Sequence, residues 1–252
     1  MPTALALSPH LDDAAFSCGG TLARLAASGW RVVMATLFTA TVPDPAGFAL
    51  ACQLDKGLGP EVDYMALRRA EDRDAAAALG TVEALHLPLR EAPHRGYASA
   101  PELFAGPRPD DGVRGPLAAI VADLLAQETP DLVLAPQAVG GHVDHVQLVT
   151  VLRQAPLGAV LWWRDFPYTV RDRRPKEPFG AGFAALPELA VRLDDGERAR
   201  KHAACAAYAS QIGFQFGGPD GLAVRLAAED GREAFRLSGA RPEDLPVLRA
   251  GA

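Results

Sequence analysis

Cysteine is scarce in this chain: Cys18, Cys52 and Cys205 are odd in number, far apart and outside Cys-x-x-Cys spacing. That excludes a disulfide framework and a thiolate zinc site, and each is read as a reduced thiol. Positive charge is also short. The net charge is −6, and the one basic cluster, Arg171 to Lys176, is interrupted by Asp172 and Pro175. Such a chain offers no electrostatic footprint for a polyanion, so nucleic acid is not an expected partner. No apolar run approaches the ~20 residues needed to cross a bilayer. The N-terminus, Met1 to Leu7, lacks a basic region and reaches Ser8-Pro9-His10 before a signal-peptide core forms, so a cytoplasmic location is expected. Internal repeats are missing, and low complexity is confined to Ala-rich helices.

What is present is apolar residue in quantity: 49% of 252 residues, enough to bury one sizeable core, so a single domain over residues 1–252 is expected. Short apolar runs alternate with amphipathic ones. Strands are expected at Ala4–Ser8, Arg31–Leu37, Val82–Leu87, Leu132–Ala135, Ala159–Trp163 and Leu189–Leu193. Helices are expected at about Ser17–Ser28, Tyr64–Leu79 with Gly80 as C-cap, Leu117–Gln127, His142–Arg153, and Asp194–Tyr208 with Asp194 or Asp195 as N-cap. Continuous apolar strands alternating with helices predict an α/β fold, a Rossmann-like three-layer sandwich with a mostly parallel sheet. Three Pro- and Gly-rich stretches, Thr39–Asp63, Pro88–Arg114 and Asp165–Leu186, each follow a strand. They therefore start at the carboxyl edge of the sheet, where open α/β folds bind ligands.

The first strand runs into Ser8-Pro9-His10-Leu11-Asp12-Asp13 and then Gly19-Gly20. A dinucleotide site would carry Gly-x-Gly-x-x-Gly at this turn. An imidazole and two carboxylates suit a divalent cation instead. The strand Leu132–Ala135 likewise opens into Pro136 to His145, ending His142-Val143-Asp144-His145. Both turns lie on one edge of a parallel sheet, so His10, Asp13 and His145 can converge. Two imidazoles and a carboxylate leave a position for water, the catalytic pattern for zinc. Asp12 is then the candidate general base, passing its proton to a departing amine. His142, one helical turn from His145, is the candidate oxyanion stabiliser in its protonated form. Asp144 either orients His142 or fixes an imidazole tautomer. Asp12 or Asp13 has one structural alternative, as N-cap of the following helix. His86, His94 and His202 are read as structural.

These two segments resemble the LmbE-like, or PIG-L, family of metal-dependent N-acetylglucosaminyl deacetylases, which has a Pro-His-Pro-Asp-Asp-Glu turn and a later His-x-Asp-His. The resemblance implies zinc on His10, Asp13 and His145, Asp12 as base and His142 at the oxyanion. It extends to Arg68-Arg69-Ala70-Glu71 with Ala75–Gly80, and to a helix at Lys201–Gln211. Leu11 and Ala14 depart from the family's Pro and Glu. Tyr208 replaces a frequent His, and Gly140 stands where some members have a catalytic Tyr. The aromatic run Trp162 to Tyr168 is a candidate sugar platform, with Tyr168 supplying a hydroxyl; Arg68 is a candidate for substrate hydroxyls or a phosphate. The expected activity is removal of an acyl group, acetyl above all, from a small-molecule N-acyl amino sugar or glycoconjugate. The alternatives are a non-haem Fe(II) oxygenase, which uses the same two-His-one-carboxylate set, and a non-catalytic metal- or sugar-binding protein.

Overall fold

Alternate residues of the first apolar run face opposite ways, and this sets the layers. In β1 (Thr3–Ser8), Ala4 and Ala6 join one buried cluster, and Leu5 and Leu7 join another on the far side of the sheet. Each fully buried leucine contributes about 1.5–3 kcal/mol of transfer free energy. The computed structural model describes residues 1–248. The remaining strands are β2 (Arg31–Thr36), β3 (Val82–His86), β4 (Leu132–Pro136), β5 (Ala159–Trp163), β6 (Glu188–Arg192) and β7 (Arg232–Ser238). In chain order the helices are α1 (Asp13–Ala27), α2 (Gly47–Leu54), α3 (Tyr64–Leu79), α4 (Ala100–Leu103), α5 (Arg114–Glu128), α6 (Val143–Leu152), α7 (Tyr168–Arg171), α8 (Gly180–Ala184), α9 (Asp195–Ala207), α10 (Ala209–Phe216) and α11 (Pro219–Ala227).

The strand order is β3-β2-β1-β4-β5-β7-β6. Pairing is parallel from β3 to β5, while β7 runs antiparallel to both β5 and β6. Leu22 of α1, Leu79 of α3 and Ala204 of α9 pack on one face, and Leu117 of α5 and Leu148 of α6 on the other. The mostly parallel three-layer sandwich is as expected. Because the chain goes outward from β1 to β3 and then returns to β4 on the other side of β1, the carboxyl ends of β1 and β4 flank a topological switch point. Both metal-type turns start there.

Helix starts differ from expectation: α5 begins at Arg114, ahead of the expected Leu117. Helix α1 begins at Asp13, four residues early, and kinks at Cys18 (φ −140, ψ 20). The kink frees the N–H groups of Gly20 and Thr21, which donate to the Glu233 carboxylate at 3.0 and 2.8 Å; Lys201 Nζ lies 3.0 Å from the same group. A buried carboxylate from β7 therefore satisfies the break, and no local sequence signal announces it. The expected helix Asp194–Tyr208 matches α9, whereas the helix that the resemblance implies over Lys201–Gln211 is shared between two. Tyr208 breaks it to donate a 2.6 Å hydrogen bond to Asp72 in α3, and α10 restarts at Ala209. Asp194 caps α9 with a full capping box to Glu197, as its sequence position suggests. The three irregular stretches do start at the carboxyl ends of β2, β3 and β5, and they carry the short helices α2, α4, α7 and α8. Among the described residues no helix is long and apolar enough to cross a membrane.

Candidate active site and metal centre

The turn after β1 is locked by its own side chains. Ser8 Oγ donates to His10 O at 2.7 Å and accepts from Ala14 N at 3.1 Å, and His10 N donates to Asp13 Oδ2 at 2.8 Å. The turn after β4 uses positive φ at Ala138, Gly140 and Gly141 to reverse direction before α6. Gln137 N and Val139 N donate to Asp165 Oδ2 at 3.2 and 2.9 Å, tying this turn to the end of β5.

These turns bring three donor atoms into a near-equilateral triangle. His10 Nδ1 lies 3.3 Å from Asp13 Oδ2 and 3.3 Å from His145 Nε2, and His145 Nε2 lies 3.1 Å from Asp13 Oδ2. Tetrahedral bonds of about 2.0–2.1 Å to one ion set their ligands roughly 3.3–3.4 Å apart. The donor set therefore fits a divalent cation. Each imidazole also gives its other nitrogen to a buried carboxylate: His10 Nε2 to Asp144 Oδ2 at 3.0 Å, and His145 Nδ1 to Asp165 Oδ1 at 2.7 Å. Carboxylate-backed histidines of this kind are the usual outer support of a bound metal. The electrostatics agree. Burial alone would strip protons from both rings, yet the hydrogen bonds and charges of Asp13, Asp144 and Asp165 override it, holding His10 well above the ordinary histidine value and His145 at about 9. A pocket of carboxylates this dense asks for positive charge. Burial works to raise Asp13, but the His145 charge and the bonds from His10 and His145 keep it well below the carboxylate range.

His142 also lies close, with nitrogens of His10, His142 and His145 all within 4.8 Å of one another. A three-histidine set is less suited, because His142 caps α6: its Nδ1 accepts from Asp144 N at 3.2 Å, while Asp13 sits closer to both other rings. That same cap corrects the expected protonation. A ring nitrogen accepting a backbone N–H carries no proton, and burial together with the His10 charge lowers His142 to about 3. His142 is a neutral imidazole whose Nε2–H is left for a ligand.

Asp12 stands beside the triangle. Its Oδ2 accepts from Gln215 Nε2 at 3.0 Å and lies 3.4 Å from an Arg68 nitrogen, while Oδ1 has no partner among the described residues. Burial raises this carboxyl to about 7 against the pull of Arg68, with Asp13 adding to the rise. Asp144 is fully buried and takes Arg95 at 2.7 Å besides His10, so of its two expected roles the structure has the tautomer-fixing one, out of substrate reach. Arg68 is placed differently from a substrate grip. It reaches the pocket wall, but its nitrogens go to Glu91 at 2.7 Å and Leu11 O at 2.9 Å, and it braces Asp12. In the aromatic run, Trp162, Trp163 and Phe166 are buried in the two core clusters. Of its aromatic rings only that of Tyr168 lines the pocket, where it covers Gly140 so closely that a Cβ there would meet it at 2.5 Å. Residues missed from sequence are Asp165, Gln215, Glu91 and Arg95. Asp165 had a signal, a carboxylate directly after an apolar strand on the same sheet edge; the other three sit in irregular stretches or in α10.

The pocket above this floor has a volume of about 400 Å³ and is walled by Phe48, Tyr64, Leu103, Phe104 and Phe214. A second cavity of about 450 Å³ between α9 and α11 shares no residue with it.

Comparison with known proteins fits this geometry. The PIG-L family, described as GlcNAc-PI de-N-acetylase, matches residues 5–156, more than half of the chain. The chain belongs to the PIG-L family. Among its PIG-L relatives, 2'-N-acetylparomamine deacetylase of Streptomyces fradiae is 36% identical over 191 residues, covering 70% of this chain and 65% of that protein. The chain thus spans a little under two thirds of that relative's length. A 1D-myo-inositol 2-acetamido-2-deoxy-alpha-D-glucopyranoside deacetylase of Nakamurella multipartita is 30% identical over 277 residues, covering 96% and 90% of the two chains. In fold, the chain is similar to the zinc-inhibited form of a teicoplanin deacetylase, with a TM-score of 0.78 at 24% identity and coverage of 95% and 99%. The oxygenase alternative finds no support among them.

Proposed function

We propose that this PIG-L protein is a metal-dependent hydrolase that removes an acyl group, acetyl in the first place, from an N-acyl amino sugar or its conjugate. The observation that carries the reading is the triangle of His10 Nδ1, Asp13 Oδ2 and His145 Nε2, with sides of 3.1 to 3.3 Å, opening onto a pocket that also holds Asp12 and His142. The deacetylase names of the relatives support it. We assign zinc to the triangle; a bound divalent metal supplies water acidic enough to attack an amide near neutral pH and polarises the acyl oxygen.

The chain's own residues do the rest. Asp12 accepts the proton of the attacking water at Oδ1 and delivers it to the leaving amine nitrogen; its raised pKa suits exchange near neutrality. Gln215 and Arg68 hold Oδ2 and so fix the direction of Oδ1. His142 donates Nε2–H to the oxygen on which charge develops, as a neutral imidazole. Tyr168, with no hydrogen-bond partner for its hydroxyl among the described residues, serves the substrate's polar groups. Asp144 and Asp165 orient the two metal-side imidazoles. A cytoplasmic, single-domain enzyme is part of the reading, which the three free thiols support.

The test is amine release from N-acetylglucosamine and its glycosides by chelator-stripped protein, with and without added Zn²⁺. Release that needs the metal is expected. Equal release from protein shown to be metal-free overturns the mechanism.

A further inference from the structure

Helix α10 has eight residues, and its N-cap position, Tyr208, offers no side-chain acceptor to the first turn. An isolated helix of that length is marginal in water, and its first N–H groups need partners. The partner comes from another helix. Glu71 of α3, itself buried, accepts from Ser210 N and from Ser210 Oγ, both at 2.7 Å. Its neighbour Asp72, 1% exposed, accepts from the Tyr208 hydroxyl at 2.6 Å on one oxygen and lies 2.9 Å from His86 Nε2 on the other. Gln211 Nε2 donates to the Tyr64 hydroxyl, at the start of α3, at 2.9 Å. Helix α3 therefore caps α10 from outside and fixes how it sits.

Both helices then deliver a side chain to Asp12. On α3, Arg68 lies one turn before Glu71 and Asp72, on the same face, with a nitrogen 3.4 Å from Asp12 Oδ2. On α10, Gln215 lies one turn after Gln211 and donates to that same oxygen at 3.0 Å. The two groups that hold the candidate base are thus anchored to each other one turn away from it. Neither Glu71 nor Asp72 lines the pocket, and neither pairs with a lysine or arginine among the described residues. Two adjacent buried carboxylates are a costly way to join helices that apolar side chains could join. What their hydrogen bonds add is one defined placement of α10.

We propose that Glu71 and Asp72 are positioning residues for the reaction: by locking α10 onto α3 they place Gln215 against Asp12 Oδ2, and so aim Oδ1, the atom that takes the proton. The consequence for turnover rests on the deacetylase reading; the placement of Gln215 does not.

The experiment uses the Zn²⁺-loaded full chain, with N-acetylglucosamine as the probe for amine release. The Gln215 side-chain amide is followed by NMR in ¹⁵N-labelled protein and assigned by its loss in Gln215→Leu. Glu71→Ala should lower kcat about 10–100-fold at unchanged zinc content, the scale on which a small misplacement acts, and should move the Gln215 amide to the position of a free glutamine. Because both residues act on Asp12 through one contact, Glu71→Ala should cost nothing further in the Gln215→Leu background. A role confined to stability would lower the melting temperature equally in either background and leave kcat of the folded protein unchanged. Should Glu71→Ala fail to fold, Ser210→Ala and Tyr208→Phe each remove a single bond of the clamp. Each should lower kcat by about three- to tenfold, and Gln215→Leu should absorb that loss in the same way. An unmoved Gln215 amide, an unchanged kcat, or losses that multiply in the double variants overturn the proposal. If even the wild type releases no amine while the Gln215 amide still answers to Glu71, the placement stands and the deacetylase reading fails. Release at the wild-type rate from the clamp variants has the opposite meaning.

Discussion

The floor of the pocket and its mouth are built by different means. At the floor, His10, Asp13 and His145 lie on turns directly continuous with β1 and β4, and each ring is backed by a second carboxylate that is itself pinned by backbone N–H groups or Arg95. At the mouth, Phe48, Lys56, Phe104 and Arg171 come from irregular stretches, and Phe214 of α10 is 62% exposed. Chemistry needs donors held to a fraction of an ångström, which rigid strands supply. Specificity changes by swapping loop residues over an unchanged floor. The matched family segment, residues 5–156, contains every metal-type ligand and stops before Asp165, Tyr168, Arg171 and Gln215.

The contrast breaks most sharply if a floor residue proves dispensable. His145→Ala should abolish both metal content, read by elemental analysis, and amine release; a variant that keeps its metal moves the ligand set elsewhere. Next in size, Asp12→Asn should retain metal while kcat falls by roughly 10²–10⁴, the range of general acid-base catalysis. The sign of its pH effect follows from the role. Asp12 works only when ionised, so kcat/KM should rise with pH through a value at or below about 7, lower where a bound cation adds its pull, and that acid limb should vanish in the Asn variant. An unchanged limb assigns the base to another group. Smaller again is Asp165→Asn, which leaves all three ligands in place but loosens one: metal affinity should weaken by roughly 10–100-fold, measured by competition with a chromogenic chelator. Undiminished affinity would make the His145–Asp165 contact a matter of folding alone.

Sequence reading succeeded where one segment holds its own explanation. The strand-turn pairs at Ser8–Asp13 and Pro136–His145 single out His10, Asp13 and His145 as candidate ligands, and the structure brings those three donors within 3.3 Å of one another. The parallel order followed from alternating strands and helices. It failed where a residue's meaning depends on a distant partner. Glu233 is one polar residue in β7 until the kink at Cys18 is seen to need it. From sequence Arg68 is a candidate grip for substrate hydroxyls or a phosphate, yet it is buried between Glu91 and Asp12. Protonated His142 was a natural expectation for an oxyanion donor, and only the N-cap bond from Asp144 N fixes its neutral form. Trp162 and Trp163 alternate into the two core layers, so an aromatic run at a strand end indicated packing rather than a platform.

The smallest effects should arise where floor meets mouth, at Gly140 and Tyr168. Gly140 belongs to the turn that carries His142, whereas Tyr168 belongs to the stretch after β5; the ring lies where a Gly140 side chain would be. Tyr168→Phe keeps the ring and removes only the hydroxyl. If that hydroxyl bonds the substrate, one neutral hydrogen bond is lost, and kcat/KM should fall by about three- to tenfold with metal content unchanged. Gly140→Ala keeps the hydroxyl but forces the ring aside, since the backbone there has φ 93 and a Cβ would sit 2.5 Å from the ring. Left-handed strain alone costs roughly 1–2 kcal/mol of stability, visible as a lower melting temperature. Its kinetic effect should match or exceed that of Tyr168→Phe and should not add to it in the double variant, because both act through the same hydroxyl. Additive losses would mean that Gly140 acts through His142 instead, and an active, unperturbed Tyr168→Phe would leave that hydroxyl without a part in the reaction.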